Sequence, residues 1–166
     1  MSLSNVSQFR GAVQRRRILH CNVTQHPTSA WTIQQLREAF PYDSAPSYLI
    51  FDRGSQFNEE VIGTIKDFGI KPKRTSYRSP WQNGVAERCV GNCRCDLLDL
   101  MIVLNERHLK RLMNDYIRDY HDDRTHLGLA KETPAGRVTA SNADAGSNVM
   151  AMPRLGGLHH RYDLAA

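Results

Sequence analysis

Two acids carry the chemistry this sequence could do. Asp52 follows the apolar run Tyr48-Leu49-Ile50-Phe51, and Glu87 stands 35 positions further on, behind the turn-rich stretch Arg78-Ser79-Pro80-Trp81-Gln82-Asn83-Gly84. Carboxylates on rigid elements suit hard divalent cations, which take oxygen ligands and complete their shells with water and substrate oxygens. An isolated Asp before Arg-Gly reads as a turn residue, and an acid at a helix start reads as a dipole partner. The pair gains weight from its surroundings. Residues 71 to 94 hold Lys71, Lys73, Arg74, Arg78, Arg88 and Arg94 against the single acid Glu87, and residues 1 to 37 hold arginines and no acid. Basic runs flanking two carboxylates point to a phosphate backbone. Gly91 lies one turn beyond Glu87 on the same face, at a helix cost of about 1 kcal/mol relative to Ala. It leaves a gap suited to a close-approaching phosphate or ion.

The elements that must position these residues follow from periodicity. "RRILHCNVT", residues 16 to 24, alternates with Leu19, Cys21 and Val23 on one face and predicts a strand. Thr28 or Ser29 caps a helix over about 29 to 40, which Pro41 stops. "SYLIFD" predicts a short strand buried on both faces, with Asp52 at its carboxyl end, where open α/β sheets place their sites. "NEEVIGTIKDFG" predicts a helix closed by Gly69, with Val61, Ile65 and Phe68 inward. Pro72 confines "IKPKRTSY" to an edge strand or loop. Asn83 is placed to cap a helix on which Cys89, Cys93, Leu97 and Met101 form one stripe. The last helix runs from Asn105 to Tyr120, with Leu109, Leu112, Met113, Tyr116 and Tyr120 inward.

At 166 residues, with 40% hydrophobic and 23% charged residues, the chain has the composition of one globular domain. The net charge of +5 hints at a polyanionic partner. No apolar run approaches a membrane span and "MSLSNVSQFR" has no signal-peptide pattern, so cytoplasmic placement without a membrane is expected. Cys89, Cys93 and Cys95 fall at a spacing that is neither a zinc finger nor a redox motif, so small core-facing side chains is the favoured reading.

"DRGSQF", "GIKPKRTSYRSPWQNGVAER" and "YHDDRTHLGLAKETP" together resemble the integrase core of bacterial insertion-sequence transposases, relatives of retroviral integrases. The family uses an Asp, Asp, Glu triad. Its second Asp ends a strand as Asp52 does, and its Glu follows a Ser-Pro, Asn-Gly, Glu-Arg pattern matched by Ser79, Pro80, Asn83, Gly84, Glu87 and Arg88. Tyr120, Arg124, His126 and Leu129 match a further element whose role the sequence does not give; hydrogen bonding to the preceding helix is the expectation. The resemblance spans residues 16 to 137, with 1 to 15 a divergent segment and 138 to 166 a flexible tail.

This resemblance implies an α/β, ribonuclease-H-like fold, a mixed sheet flanked by helices with its first strand missing or replaced. It implies two-metal phosphoryl transfer with Mg²⁺ or Mn²⁺, with Asp52 and Glu87 as catalytic and metal-binding residues. DNA is the implied partner, a homodimer or multimer the implied assembly, and the Trp81–Gly84 loop is expected to move onto the DNA. Lys73, Arg74, Arg78, Gln82, Asn83, Arg88 and Arg94 are the candidate DNA contacts, and Trp81 could stack on a base. The family's first Asp has no counterpart. The first acid is Glu38, Asp43 falls in a Pro-rich connection, and His20 and His26 are poor substitutes. The expectation is a truncated core, inactive alone; the alternative is a catalytically dead DNA-binding remnant. A fragment without present function is the third reading, since a lost strand bares a sheet edge.

Overall fold

The computed structural model describes residues 16–41, 44–137 and 148–165. Two compact units divide at Asn92 and Cys93.

In the first unit, Ser29–Ala39 forms helix α1. Thr28 caps it, its hydroxyl accepting the Trp31 N–H at 3.2 Å. Strand β1, Tyr48–Phe51, leads through Asn58, whose side chain accepts the Val61 N–H, into helix α2, Glu59–Asp67. The turn beyond α2 needs a positive φ, and Gly69 supplies it at +72°. Strand β2, Lys71–Arg74, then pairs in parallel with β1, Leu49 opposite Pro72 and Phe51 opposite Arg74. Parallel neighbours need a crossover, and α2 is it. Pro72 gives no N–H to a ladder. Among the described residues β2 has only β1 beside it, which is the edge position expected of that proline.

Leu36, Leu49, Val61, Ile65 and Ile70 anchor the apolar core between α1, α2 and the strands. Val61 and Ile65 are wholly buried, each contributing about 1.5–3 kcal/mol by the usual transfer scale. Phe68 joins them partly buried. β1 differs from its expectation: Leu49 and Phe51 are buried, whereas Tyr48 is exposed and Ile50 half-buried. The core side chains of α1 and α2 cover the face that carries Leu49 and Phe51.

The expected strand over 16 to 24 is not formed by the described residues 16–24. Ile18 is the buried residue and Leu19 is exposed, opposite to the alternation. Polar contacts hold this stretch instead. The His20 ring Nε2 and the Asn22 amide both lie 2.8 Å from the Gln35 Oε1, which ties the stretch to α1 through side chains.

Helix α3, Gly84–Asp96, crosses the boundary between the units. Cys89, Cys93 and Leu97 are buried, as the stripe requires. The helix ends before Met101, however, giving way to a short 3-10 turn at Leu98–Leu100.

In the second unit, Asn105 caps helix α4, Glu106–Asp122, by accepting the His108 N–H at 2.8 Å. All five expected inward residues, Leu109, Leu112, Met113, Tyr116 and Tyr120, are buried. The expected tail behaves differently. Residues 138 to 147 lie outside the described residues, but Val149–Arg154 and His159–Leu164 pair as antiparallel strands β3 and β4. The mixed sheet expected from the family is therefore, among the described residues, two separate two-stranded sheets.

Candidate functional site

Parallel pairing sets the carboxyl ends of β1 and β2 side by side, and the Thr75 N–H donates to the Phe51 carbonyl at 2.9 Å. Asp52 leaves this end into solvent. Its Oδ1 accepts the Gly54 N–H at 2.9 Å, closing the Asp-Arg-Gly turn by the local side-chain bond such residues favour. A Cβ on Gly54 would sit 2.4 Å from the Gln56 side-chain oxygen, so any larger residue here requires the end of that buried side chain to shift. Buried Leu49 and Phe51 thus fix the strand while Asp52 emerges beyond it.

The loops past the two strands are laced together. Arg53 Nε donates to the Thr75 carbonyl at 3.1 Å, and Arg74 reaches back to the Phe57 carbonyl. Gln82 accepts the Ser76 N–H at 2.7 Å while its amide lies 3.2 Å from the Ser76 hydroxyl. The loop expected to be mobile is therefore a 3-10 turn, Pro80–Asn83, clasped to the segment after β2 and running directly into α3. Asn83 lies within that turn. Glu87 follows in the first turn of α3, exposed. Hydrogen bonds thus link the turn at Asp52 to the turn that starts the helix of Glu87. The clasp residues Arg53 and Gln82 were not read as such in the sequence; only a turn-rich stretch between basic residues marked the region.

The basic side chains fall into different situations. Lys73, Arg78 and Arg88 are exposed. Arg74 lies 5.7 Å from the Phe51 ring centroid, and Arg78 lies 5.2 Å from that of Tyr77. Arg78 holds a left-handed backbone, φ 52°. Arg94 faces Asp99 at 3.4 Å across solvent. Tyr77 and Trp81 are 70% and 73% exposed, a pair of uncovered aromatics in a basic, acid-poor stretch. Tyr77 went unremarked in the sequence, although its place beside Arg78 in a turn-rich loop could have drawn notice. A Cβ at Gly91 would meet nothing within 4 Å, so packing does not demand that glycine.

A two-metal centre needs a donor set that brackets two ions. Among the described residues, no group of three or more His, Cys, Asp and Glu is placed to hold a metal ion, and residues 1 to 37 contain no acid to supply a third carboxylate. Among the described residues the donor set does not fit that centre.

The Tyr-Arg-His-Leu element has a structural part to play within the second unit. His126 is buried, its ring edge-on to Tyr120 at 4.9 Å, and its carbonyl accepts the N–H groups of Leu129 and Lys131. The Arg124 guanidinium donates to Asp96 at the end of α3, and its backbone N–H to the Asp119 carbonyl on α4. Burial would lower the Arg124 pKa, but the hydrogen bond to Asp96, with the fields of Tyr116, Asp96 and Tyr120, pushes it up.

Residues 68–134 match the family model of the integrase core domain, so the motifs that carried the resemblance fall largely within an independently matched segment. A chain of the cryo-EM structure of the simian T-cell lymphotropic virus intasome in complex with PP2A regulatory subunit B56 gamma is similar in fold. Its TM-score is 0.50 at 15% identity, over 86% of this chain and 54% of that one. The present chain thus spans about half the length of the chain it matches. No curated protein matches it. No helix among the described residues is long and apolar enough to cross a membrane.

Proposed function

We propose that this chain, with its integrase core domain match over residues 68–134, works on DNA as the core of an integrase or transposase, and that alone it binds DNA without cutting or joining it. In this reading the fold is ribonuclease-H-like, the setting cytoplasmic, and Asp52 and Glu87 are two inherited carboxylates of a three-carboxylate site. They would hold one Mg²⁺ or Mn²⁺ weakly, so no catalytic step is assigned to the pair. The observation that carries the reading is the matched segment itself, in which Lys73, Arg74, Arg78 and Arg88 are set against one acid and Tyr77 and Trp81 are bare.

The chemistry of binding follows from those groups. Lys73, Arg78 and Arg88 neutralise phosphates and release counterions, while Trp81 offers a flat face to an unpaired base. Gln82 and Asn83, named as DNA contacts by the resemblance, act in the first place by shaping the turn; Gln82 is committed to Ser76. Arg94 extends the basic stretch along α3. Among the described residues no third carboxylate stands with Asp52 and Glu87, so cutting and joining are not assigned to this chain alone.

Two measurements test this. Binding of a short duplex should weaken with salt, log K falling by about 0.9 per phosphate neutralised, and Ala at Lys73, Arg78 and Arg88 together should flatten that slope. A nicking and strand-transfer assay with Mn²⁺ should show no turnover. Robust turnover that Asp52→Asn abolishes would overturn the claim of inactivity, and salt-insensitive or absent binding would overturn the claim of DNA as partner.

A further inference from the structure

We propose that the β3–β4 hairpin is a strap, closed by ion pairs onto the carboxyl end of α4, that salt opens as a unit while α4 stays folded. The hairpin makes its own shape. Its strands pair over six residues each, and the reversal between them runs through Leu155, Gly156 and Gly157 at φ 50°, 67° and 97°. Two of those three positions are glycine, which takes a positive φ without steric cost. Apolar burial contributes little. None of the described residues 148–165 is buried, and Met152 and Leu155 are half-buried at most, whereas α4 buries five large side chains. A two-stranded hairpin of this kind is marginal by itself, so whatever attaches it decides whether it stays ordered.

Charge attaches it. The register sets Met152 opposite Arg161 and Arg154 opposite His159, so these side chains share one face of the ribbon. From that face Arg154 meets Asp123 at 2.7 Å and Arg161 meets it at 3.3 Å. Arg137 closes the strap from the other side. Its backbone N–H donates to the Thr133 hydroxyl at 3.0 Å, while its guanidinium pairs with Asp163 and reaches the Tyr162 carbonyl at 3.4 Å. The His159 ring, 3.2 Å from the Asp96 carbonyl, completes the polar contacts of the hairpin with the rest of its unit among the described residues. Asp123 is the C-cap of α4, so the negative end of the helix adds to its hold on the arginines.

These contacts differ from a core in one physical respect. The three arginine side chains keep 25–33% exposure, so mobile ions reach them and screening weakens their attraction to Asp123. The buried apolar residues of α4 have no such sensitivity. Opening separates Arg137, Arg154 and Arg161 from Asp123 together, because all three converge on that one carboxylate. The second unit therefore has two surfaces: a closed one with its charges matched, and an open one that presents a cationic ribbon and a bare acidic helix end.

The test is amide hydrogen exchange on the full chain between about 0.05 M and 1 M sodium chloride, over which the screening length falls to about 3 Å. Amides of Val149–Arg154 and His159–Leu164 should exchange at least about tenfold faster at high salt, while those from Leu109 to Tyr120 on α4 keep their rates, as sub-global opening requires. Arg154→Leu with Arg161→Leu should leave the hairpin fast at every salt concentration and α4 still protected. Arg154→Lys with Arg161→Lys, which keeps the charges, should retain the salt response. Hairpin protection that is indifferent to salt, or that rises with it as apolar contacts would, overturns the proposal. So does loss of protection in the hairpin and α4 together, or a salt response that survives in the leucine pair. None of these readouts involves DNA, so their outcome stands apart from that of the proposed function.

Discussion

The two units use their acids in opposite ways. In the second, Asp123 has a side chain only 8% exposed and is ringed by arginines, Arg154 at 2.7 Å, Arg161 at 3.3 Å and Arg137 at 3.8 Å. Asp163 on β4 joins Arg137 and Arg161. These ion pairs tie the β3–β4 hairpin to the end of α4, and the His159 ring adds a contact to the Asp96 carbonyl at 3.2 Å. In the first unit the core is apolar, and Asp52 and Glu87 stand in solvent with no arginine against them among the described ion pairs. Acids that look alike along the chain divide into those that hold the fold and those left over for something else. Structure falls to Asp123 and Asp163, while Asp52 and Glu87, exposed and without an ion pair among the described residues, are the two acids on which the proposed site rests.

The strongest way to break that contrast is to remove Asp123. Its Oδ1 is buried without a hydrogen bond and is held only by neighbouring charge. Asp123→Ala leaves Arg154 without its carboxylate and Arg137 and Arg161 with Asp163 alone, and breaking a buried pair in this way costs about 4 kcal/mol. Urea unfolding should show that loss, with amide exchange in β3 and β4 accelerating first. Loss below about 1 kcal/mol, with the hairpin still protected, would mean that the ring of arginines is not what holds it.

The first unit should answer to cavities instead. Ile65→Ala at a wholly buried site should cost about 3 kcal/mol, with little dependence on salt because no charge is involved. A salt-sensitive loss there would blur the distinction between the units.

What could be read in advance follows the same line. Apolar periodicity is a local signal, so α1, α2, α4 and the stripe Cys89, Cys93, Leu97 were legible, together with a cap at Thr28 or Ser29 and the stop at Gly69. Residues 16 to 24 misled because alternation shows only that a segment could be a strand; among the described residues the side chains of His20 and Asn22 meet Gln35 on α1 instead. The hairpin at 149–164 lay within the segment read as a flexible tail, because only tertiary pairing with Asp123 and Arg137 gives Arg154, Arg161 and Asp163 a place. At the site, the Asp-Arg-Gly turn and the helix bearing Glu87 were legible, whereas the clasp of Gln82 on Ser76 depends on a turn geometry that residue types do not specify.

That clasp offers a smaller test. Gln82→Ala removes two exposed hydrogen bonds, a loss of about 1 kcal/mol at most. The expected effect is local: faster amide exchange at Ser76 and through Pro80–Asn83, with global stability nearly unchanged. If exchange there is already fast in the parent chain, the turn is not held by Gln82.

The smallest effect is in the pH dependence, and it separates the acids of the second unit from one another. Burial pushes the Asp119 carboxyl above its ordinary value of 3.8. His159 draws it down, nearby Asp123 adds to the rise, and Arg124 and Arg154 also lower it, but burial prevails. The folded chain therefore holds this proton more tightly than the unfolded chain. Its contribution is fully present below 3.8 and is lost as pH rises from there through the raised value. Asp119→Asn removes the titration, so stability measured relative to the parent chain should shift in favour of the variant across that window and then level off. A relative stability that moves against Asp119→Asn as pH rises would show that Asp119 serves the arginine cluster as Asp123 does, and the second unit would then contain one ionic group of acids rather than a paired set beside a reluctant neighbour.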